Sequence, residues 1–543
     1  MQRCHYCNHE SFDKFFIKVI IKVYCTKKTS FLFVECDQMT SSGGSYSNLQ
    51  IYYGDIHNHC GLSYGHGSLA DALTNAQLQL DFASVTIHAV WPDLPTDDPR
   101  LEYLVDYHKQ GFIKAQSNWD TYLKDIEAAN ADGTFVTFPS FEWHSMNYGD
   151  YCVYFQDGDE AHIIDAPDLP ALRDMLKDIS TPTMVIPHHI GYKRGYRGIN
   201  WQAFSNRMSP VAEIFSFHGL SESTDGPYPY LHAMGPRHEQ STAQYGWAQG
   251  HVFGIIGSTD HHNAFPGSYG YGRMGVWAQD LSRKSIWDAI QQRRTYALTG
   301  DNIVVGFSVN GHPMGDICPA DDQRWIEVDV QAVDAIDYIE VLHNNRVIHR
   351  ESVLPDDEPD SVYNVCFEMG WAELDEDYDW DVQLQIEDGK LLGAEPHVRG
   401  TDPRETPADL NFAYTQLMQT GHNCYRIQTR TRQNPSLHTS ATESVTLRIE
   451  GTPDTRIIAT FNGQEQTVKL GELLTGSRTF YTAGFVSPAV SLHKANPHHQ
   501  LDRRFALSHR SLSSQRDWYT VRVRQRNNQW AWSSPIWVDG FTN

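Results

Sequence analysis

Four short segments of this chain place His, Asp and Glu at spacings that suit divalent metal ions. They are Asp55-Ile-His57-Asn-His59, Phe141-Glu142-Trp143-His144, Pro187-His188-His189 and Thr259-Asp260-His261-His262. Two further histidines, His88 and His218, each close an apolar run. Alternate residues of an extended chain point the same way, so both imidazoles of His57 and His59 can reach one ion. Asp260 and His262 repeat that geometry. Glu142 has two oxygens and can bridge two ions, which an imidazole cannot do. Mixed imidazole and carboxylate ligands suit Zn, Mn or Fe, whereas Ca and Mg prefer a mostly oxygen shell. A lone His-x-His arises about once by chance in a chain with 27 histidines. Six strand ends in succession delivering such groups is a different matter, and it points to a built site. Of the adjacent pairs, only one member each need face the metals, and we assign His188 and His262.

Groups that could move protons or hold a substrate flank these ligands. Asp260 or His66 at the rim could shuttle a proton. Lys193, Arg194 and Arg197 follow the fourth strand and Arg273 follows the sixth, where they could neutralise phosphate or carboxylate oxygens. Trp91, Tyr192 and Tyr196 could wall a cleft, with Trp143 packing the interior. Ser221 and Ser258 lack the strand-turn-helix setting of a nucleophilic serine.

The elements that must position these groups alternate in type. Apolar runs predict strands over 49–53, 82–87, 135–138, 183–186, 211–215 and 252–256. Helical spacing is read from Ser68 onward, through Trp119, Leu123, Ile126 and Ala129, over 169–179, and around 286–290. Strands alternating with helices read as βα units and a parallel sheet, and without a glycine-rich nucleotide loop a barrel is favoured. The rim at the C-terminal ends of barrel strands is where catalytic groups gather. After about residue 310 the chain alternates polar and apolar residues with turn punctuation, which predicts a β-sandwich in which Trp532 and Trp537 pack the core. The acidic stretch 350–440 reads as loops or an insertion. The expected organisation is an extension over 1–48, a metal-dependent barrel over 49–310 and a β-sandwich-like domain over 311–543.

A chain of 543 residues exceeds one hydrophobic core. A net charge of −24 argues against nucleic acid or an anionic membrane as partner, but a small anionic substrate is compatible because bound metal dominates the local field. Nine cysteines without a framework argue against a disulfide-stapled domain. Cys4, His5, Cys7 and His9 resemble half a zinc site with no second half. The apolar run 15–34 is interrupted by lysines, so neither a membrane helix nor a secretory leader is expected and a cytoplasmic location follows. A chain starting at Met39 is expected to fold and keep its activity.

Taken together, the Asp-x-His-x-His opening, the His after the second strand, Phe-Glu-Trp, Pro-His-His and Ser-Thr-Asp-His-His resemble the PHP (polymerase and histidinol phosphatase) superfamily. The segments Arg294-Thr-Tyr-Ala-Leu-Thr-Gly300 and Ala531-Trp-Ser-Ser-Pro-Ile-Trp537 are similar to a large subfamily of long-unassigned function with a C-terminal β-sandwich. The resemblance implies an α/β fold, a distorted (β/α)7 barrel with two or three divalent ions. By motif, His57, His59 and Asp260 would hold one ion with Glu142 bridging, His88, His188 and His218 the others, and His262 would close the site. Two positions depart from the pattern. The acidic residue usual after His-x-His is replaced by His66, one residue late, and Asp150 stands near where a histidine is usual. The implied reaction uses a hydroxide bridging two ions to attack a phosphoester in line, with Glu142, Asp260 and His66 as catalytic groups. A hydrolase or lyase acting on a carbohydrate, ester or amide, and a non-catalytic binding protein with a retained metal site, are the alternatives. A small-molecule or oligosaccharide substrate is expected.

Overall fold

The computed structural model describes residues 45–541, apart from 231–233, 357, 372–375, 401–413 and 433–441. Residues 1–44 of the expected N-terminal extension, with the Cys4–His9 motif, lie outside the described residues. Of the remaining four, Tyr46 is buried in the core with its hydroxyl donating to the Phe307 carbonyl, so the end of the extension belongs to the fold. No helix among the described residues is long and apolar enough to cross a membrane.

The first part of the chain is mixed α/β and rich in strands. β1 (Gln50–Asp55) leads through α1 (Leu69–Ala76) to β2 (Phe82–Ala83) and β3 (Ile87–Val90). Ser68 starts α1 as expected: its hydroxyl accepts the Asp71 N–H while the Asp71 carboxylate accepts the Ser68 N–H. α2 (Glu102–Ala129) is much longer than its apolar residues suggest, because its buried stripe includes His108, Gly111 and Ala115. Then come β4 (Val136–Thr137), β5 (Ser140–Trp143), β6 (Tyr151–Phe155), α3 (Leu169–Leu176), β7 (Thr183–Pro187), β8 (Val211–Ser216) and β9 (Gly219–Leu220). The series ends with α4 (Ala243–Ala248), β10 (Gly254–Gly257), β11 (Arg273–Ala278), α5 (Arg283–Gln291) and β12 (Thr295–Leu298).

The sheet is not the parallel one expected. β1, β2 and β4 run parallel, as do β3 with β5 and β8 with β10. β6 is antiparallel to β5, because the 144–150 connection is far too short for a crossover helix, and it is antiparallel to β7 as well, with α3 in the connection between them. β11 is antiparallel to β1, and β12 is antiparallel to β11. Beyond the end of β1, Asn58 bridges in parallel to His261, and the Thr86 N–H donates to the Asn58 carbonyl. These bonds draw the ends of β1, β3 and β10 to one place.

After residue 310 the chain is all β apart from short helical turns, but hydrogen bonding does not divide there. Val304–Val309 pairs with Gln323–Gln331, and β12 pairs with Trp530–Ser533 through Ala297 and Trp532. One 11-stranded sheet therefore joins β1, β11 and β12 to the last strands of the chain. Trp530, Trp532 and Trp537 pack with Phe215, Ile255 and Ala297 of the first part, not inside a separate sandwich as expected. The stretch read as loops is largely strand: Val362–Gly370, Asp377–Glu387, Lys390–His397 and Cys424–Arg432 belong to two packed sheets around Phe367, Trp380, Leu384, Val445 and Phe461.

Candidate metal centre

Backbone geometry at the strand ends decides which side chains meet. His57 and His59 leave β1 with an alternate residue between them and lie with their Nε2 atoms 3.2 Å apart. The local hydrogen bonds fix their tautomers. His59 Nδ1 meets the Thr86 carbonyl at 2.9 Å, and a carbonyl only accepts, so Nδ1 carries the proton and Nε2 presents a lone pair. His262 is set the same way by the Asp260 carbonyl, 2.8 Å from its Nδ1. His57 Nδ1 lies 2.8 Å from Glu213 on β8. His261, by contrast, uses Nδ1 to accept the Asn263 N–H, so His262 and not His261 joins His59 and His88.

Two carboxylates organise the centre. Asp260 places Oδ1 3.0 Å from His59 Nε2 and 3.4 Å from His57 Nε2, while its Oδ2 lies 2.9 Å from His218 Nε2. Glu142 places Oε1 2.9 Å from His188 Nε2, and Oε2 3.3 Å from His88 Nε2 and 3.5 Å from His59 Nε2. Despite this proximity neither Glu142 Oε2 nor His188 Nε2 makes an aligned hydrogen bond, and both are buried. Lone pairs converging without protons between them are what a cation requires. Overlapping sets with ligand atoms close enough for one ion include His57, His59 and Asp260; His59, His88 and His262; Glu142, Asp150, His188 and His189; His189, His218 and Asp260; and His57, Cys152 and His188.

The protonation states of most of these groups fit ligation, which needs neutral imidazole and ionised carboxylate. His57 is the exception, since burial would lower it but the neighbouring Cys152, Asp260 and Glu213 outweigh that and hold it well above its usual range. Burial, then the neighbouring His57, pushes His188 down to about 3, and burial and His59 do the same to His262. His88 is held well below its usual range by burial and His59. Burial alone would raise Glu142, but His144, His188 and His88 outweigh it and hold it well below the carboxylate range; His57 and His218 do the same for Asp260. Burial pushes the Cys152 thiol up to about 12, so the sulfur 3.4 Å from His188 Nδ1 stays protonated.

Other groups fall in less expected places. His189, which we set aside for His188, also faces inward, its Nε2 3.2 Å from Asp150. Its φ of 31° explains this: a left-handed residue breaks strand alternation, so both neighbours turn to the same side. Asp260 has φ 54°, a second non-glycine residue in this region at the centre. Arg273, expected at the rim, is buried at the start of β11, where its guanidinium donates to the Gly267 carbonyl and Asn302 and holds the loop after Asp260. Asp55 likewise ties strand ends, accepting the Thr259 hydroxyl and the Gly267 N–H. Lys193 and Arg194 are exposed, Arg194 donating to Gln202. Arg197 turns inward onto Asp150 and His144. His66 is partly buried on the loop over the centre, its N–H donating to the His262 carbonyl. Tyr192 is buried with its hydroxyl 3.0 Å from His218 Nδ1, Tyr196 is exposed, and Trp143 is buried with its indole N–H on the Ala166 carbonyl.

Comparison with known proteins places little beyond this. Residues 268–312 match a family model described as a protein of unknown function (DUF3604). An uncharacterized protein of Chlamydia trachomatis is 26% identical over 188 residues, covering 32% of this chain and 29% of its own length. One from Chlamydia pneumoniae is 22% identical over 258 residues, covering 42% of this chain and 40% of its own. The chain thus spans less than half the length of these relatives. A crystal structure from Bacteroides vulgatus, of a two-domain protein containing a predicted PHP-like metal-dependent phosphoesterase, is similar with a TM-score of 0.31 and 11% identity, covering 78% of this chain and 97% of that one.

Proposed function

We propose that this chain is a metal-dependent hydrolase of phosphoesters, with a small anionic substrate and a distorted (β/α)7 PHP-type arrangement of the strands around its centre. The single observation that carries the metal centre is Glu142: its two oxygens meet different imidazoles, His188 on one side and His88 and His59 on the other, with Oε2 lacking an aligned hydrogen bond. The preference for a phosphoester comes from the motif resemblance. Zn, Mn or Fe are the ions this donor set suits. When bound, such ions provide a nucleophile from water at neutral pH and offset charge on the leaving oxygen. Glu142 and Asp260 orient and neutralise, each between several imidazoles. His66, on the loop above, exchanges protons with solvent, and Lys193 and Arg194 draw an anion toward the mouth.

The isolated protein, reconstituted with Zn, Mn or Fe, should hold at least two ions per chain, and a screen of phosphomonoesters, phosphodiesters and then oligosaccharides should find turnover among the first two. Elemental analysis showing fewer than one ion per chain would sink the metal centre; turnover of oligosaccharides alone would leave the centre standing and overturn the substrate class. Glu213 offers a finer test, because it holds His57 by Nδ1 and so aims Nε2 inward. Glu213→Gln should weaken metal binding by about 10–100-fold, the usual effect of losing a carboxylate behind a ligating histidine. Unchanged affinity in a competition titration with a chelator would mean that His57 is aimed by the backbone alone.

A further inference from the structure

One cation is already built into the centre. Arg197 forms an ion pair through Nη2 with Asp150 Oδ2 and lies 2.9 Å from His144 Nδ1. A guanidinium can only donate, so His144 Nδ1 must be the acceptor there. The other ring nitrogen agrees, since His144 Nε2 meets the Tyr64 hydroxyl at 3.3 Å. His144 Nδ1 and Glu142 Oε1 are then two acceptors only 3.1 Å apart, with Asp150 Oδ2 3.4 Å from the same nitrogen. Two carboxylates crowd this corner, and Arg197 brings a fixed positive charge against them.

The surroundings are shaped for a guanidinium and not for a mobile side chain. Arg197 lies over the Trp91 ring at 4.7 Å, a cation–π contact in a largely dry setting. Its side chain is only 14% exposed. The loop that delivers it is bent tightly: Arg197 has φ 64°, and a Cβ on Gly198 would sit 1.6 Å from the Tyr192 carbonyl oxygen. Asp150 is anchored from the other side by the Ser145 N–H and by His189.

We infer that Arg197 takes the place of a third metal ion, so that the chain binds two divalent ions, and the Asp150–His144 corner of Glu142 is neutralised by the protein itself. This rests on the metal-centre reading above and sharpens it. It also means that Arg197 positions Asp150 and Glu142 and does not contact the substrate, unlike Lys193 and Arg194.

The test is ion stoichiometry, by native mass spectrometry and elemental analysis of the full chain titrated with Zn or Mn alone. The wild type should saturate at two ions. Arg197→Met keeps length and the contact with Trp91 but removes the charge, leaving Asp150 and His144 exposed to each other; it should bind one additional ion. Without metal it should melt below the wild type, and the added ion should recover that loss. Arg197→Lys, which keeps a charge, should stay at two. A wild type that binds three ions overturns this inference and leaves the hydrolase reading intact. So does a folded Arg197→Met that still binds two. A wild type that binds none overturns both. Should Arg197→Met fail to fold at all, the wild-type and Arg197→Lys counts decide the matter: two and two support it, three in either overturns it.

Discussion

Glu142→Gln should abolish turnover on every substrate while leaving the fold in place. The substitution preserves shape, and Glu142 sits at the one position where His59, His88, His144 and His188 all lie within reach of a single carboxylate. The charge is what matters. Without it, imidazoles that burial keeps neutral have no anion to draw two cations together. Removing a carboxylate that merely orients one ligand costs about 10–100-fold in affinity or activity. Removing one that touches both ions should exceed about 100-fold by the same reasoning, and excess metal should not restore it. His218→Ala is the contrasting case. Its Nε2 faces Asp260 Oδ2, so occupancy of one position should fall and excess metal should rescue part of the activity. His261→Ala should keep most activity, because its Nδ1 already accepts the Asn263 N–H. Near-normal turnover in Glu142→Gln would remove the bridging role and the two-ion chemistry with it.

The legibility of this centre varies residue by residue. His57, His59 and Asp260 were readable because each follows an apolar run and obeys, or nearly obeys, the alternation of an extended chain. His189 was not, since strand alternation assigns it to the opposite side from His188, and only a left-handed φ brings both inward. Glu213 carried a signal that the reading passed over: an acid inside the apolar run Val211–Phe215 must have a partner when buried, and His57 is that partner. Arg273 misled for a related reason. Its position after a ligand-bearing strand suggests the rim, but the chain reverses at Gly267 and Gly272, and the guanidinium serves the reversal. At the level of the fold, the alternation of 379–386, with Trp380, Val382, Leu384 and Ile386 inward, was legible as a strand inside the acidic stretch, whereas Val362–Gly370, Lys390–His397 and Cys424–Arg432 were hidden by its composition. The sheet shared with the last strands is a long-range pairing, which local periodicity does not encode.

That shared sheet leads to the second large effect. A chain ended at residue 310 should not fold, although the sequence reads as if a complete unit stopped there. β12 would lose its partner strand and expose the N–H and C=O groups of Tyr296–Leu298 along an apolar edge. Four packing and bonding contacts would go with it. Trp532 stacks on Phe215 at 5.8 Å and on Trp530 at 5.6 Å, and Ser534 Oγ receives the Ile255 N–H and meets Thr295 Oγ1. Phe215 is followed closely by His218, and Ile255 lies in β10, which leads to Asp260; the last strands therefore brace two of the segments that bear ligands. In the full chain, Trp532→Ala alone should cost about 3–5 kcal/mol of stability, the usual range for emptying a buried tryptophan site. Because β8 and β10 would lose packing together, metal retention should fall alongside the melting temperature, although Trp532 is no ligand. Equilibrium denaturation combined with metal analysis separates the possibilities. If the 45–310 chain folds cooperatively and holds two ions, the last strands are an accessory layer, and the unit that performs the chemistry is the shorter one. If it aggregates or unfolds while the full chain loses both stability and metal on Trp532→Ala, the half that carries the candidate centre is completed by strands that arrive more than 200 residues later in the sequence.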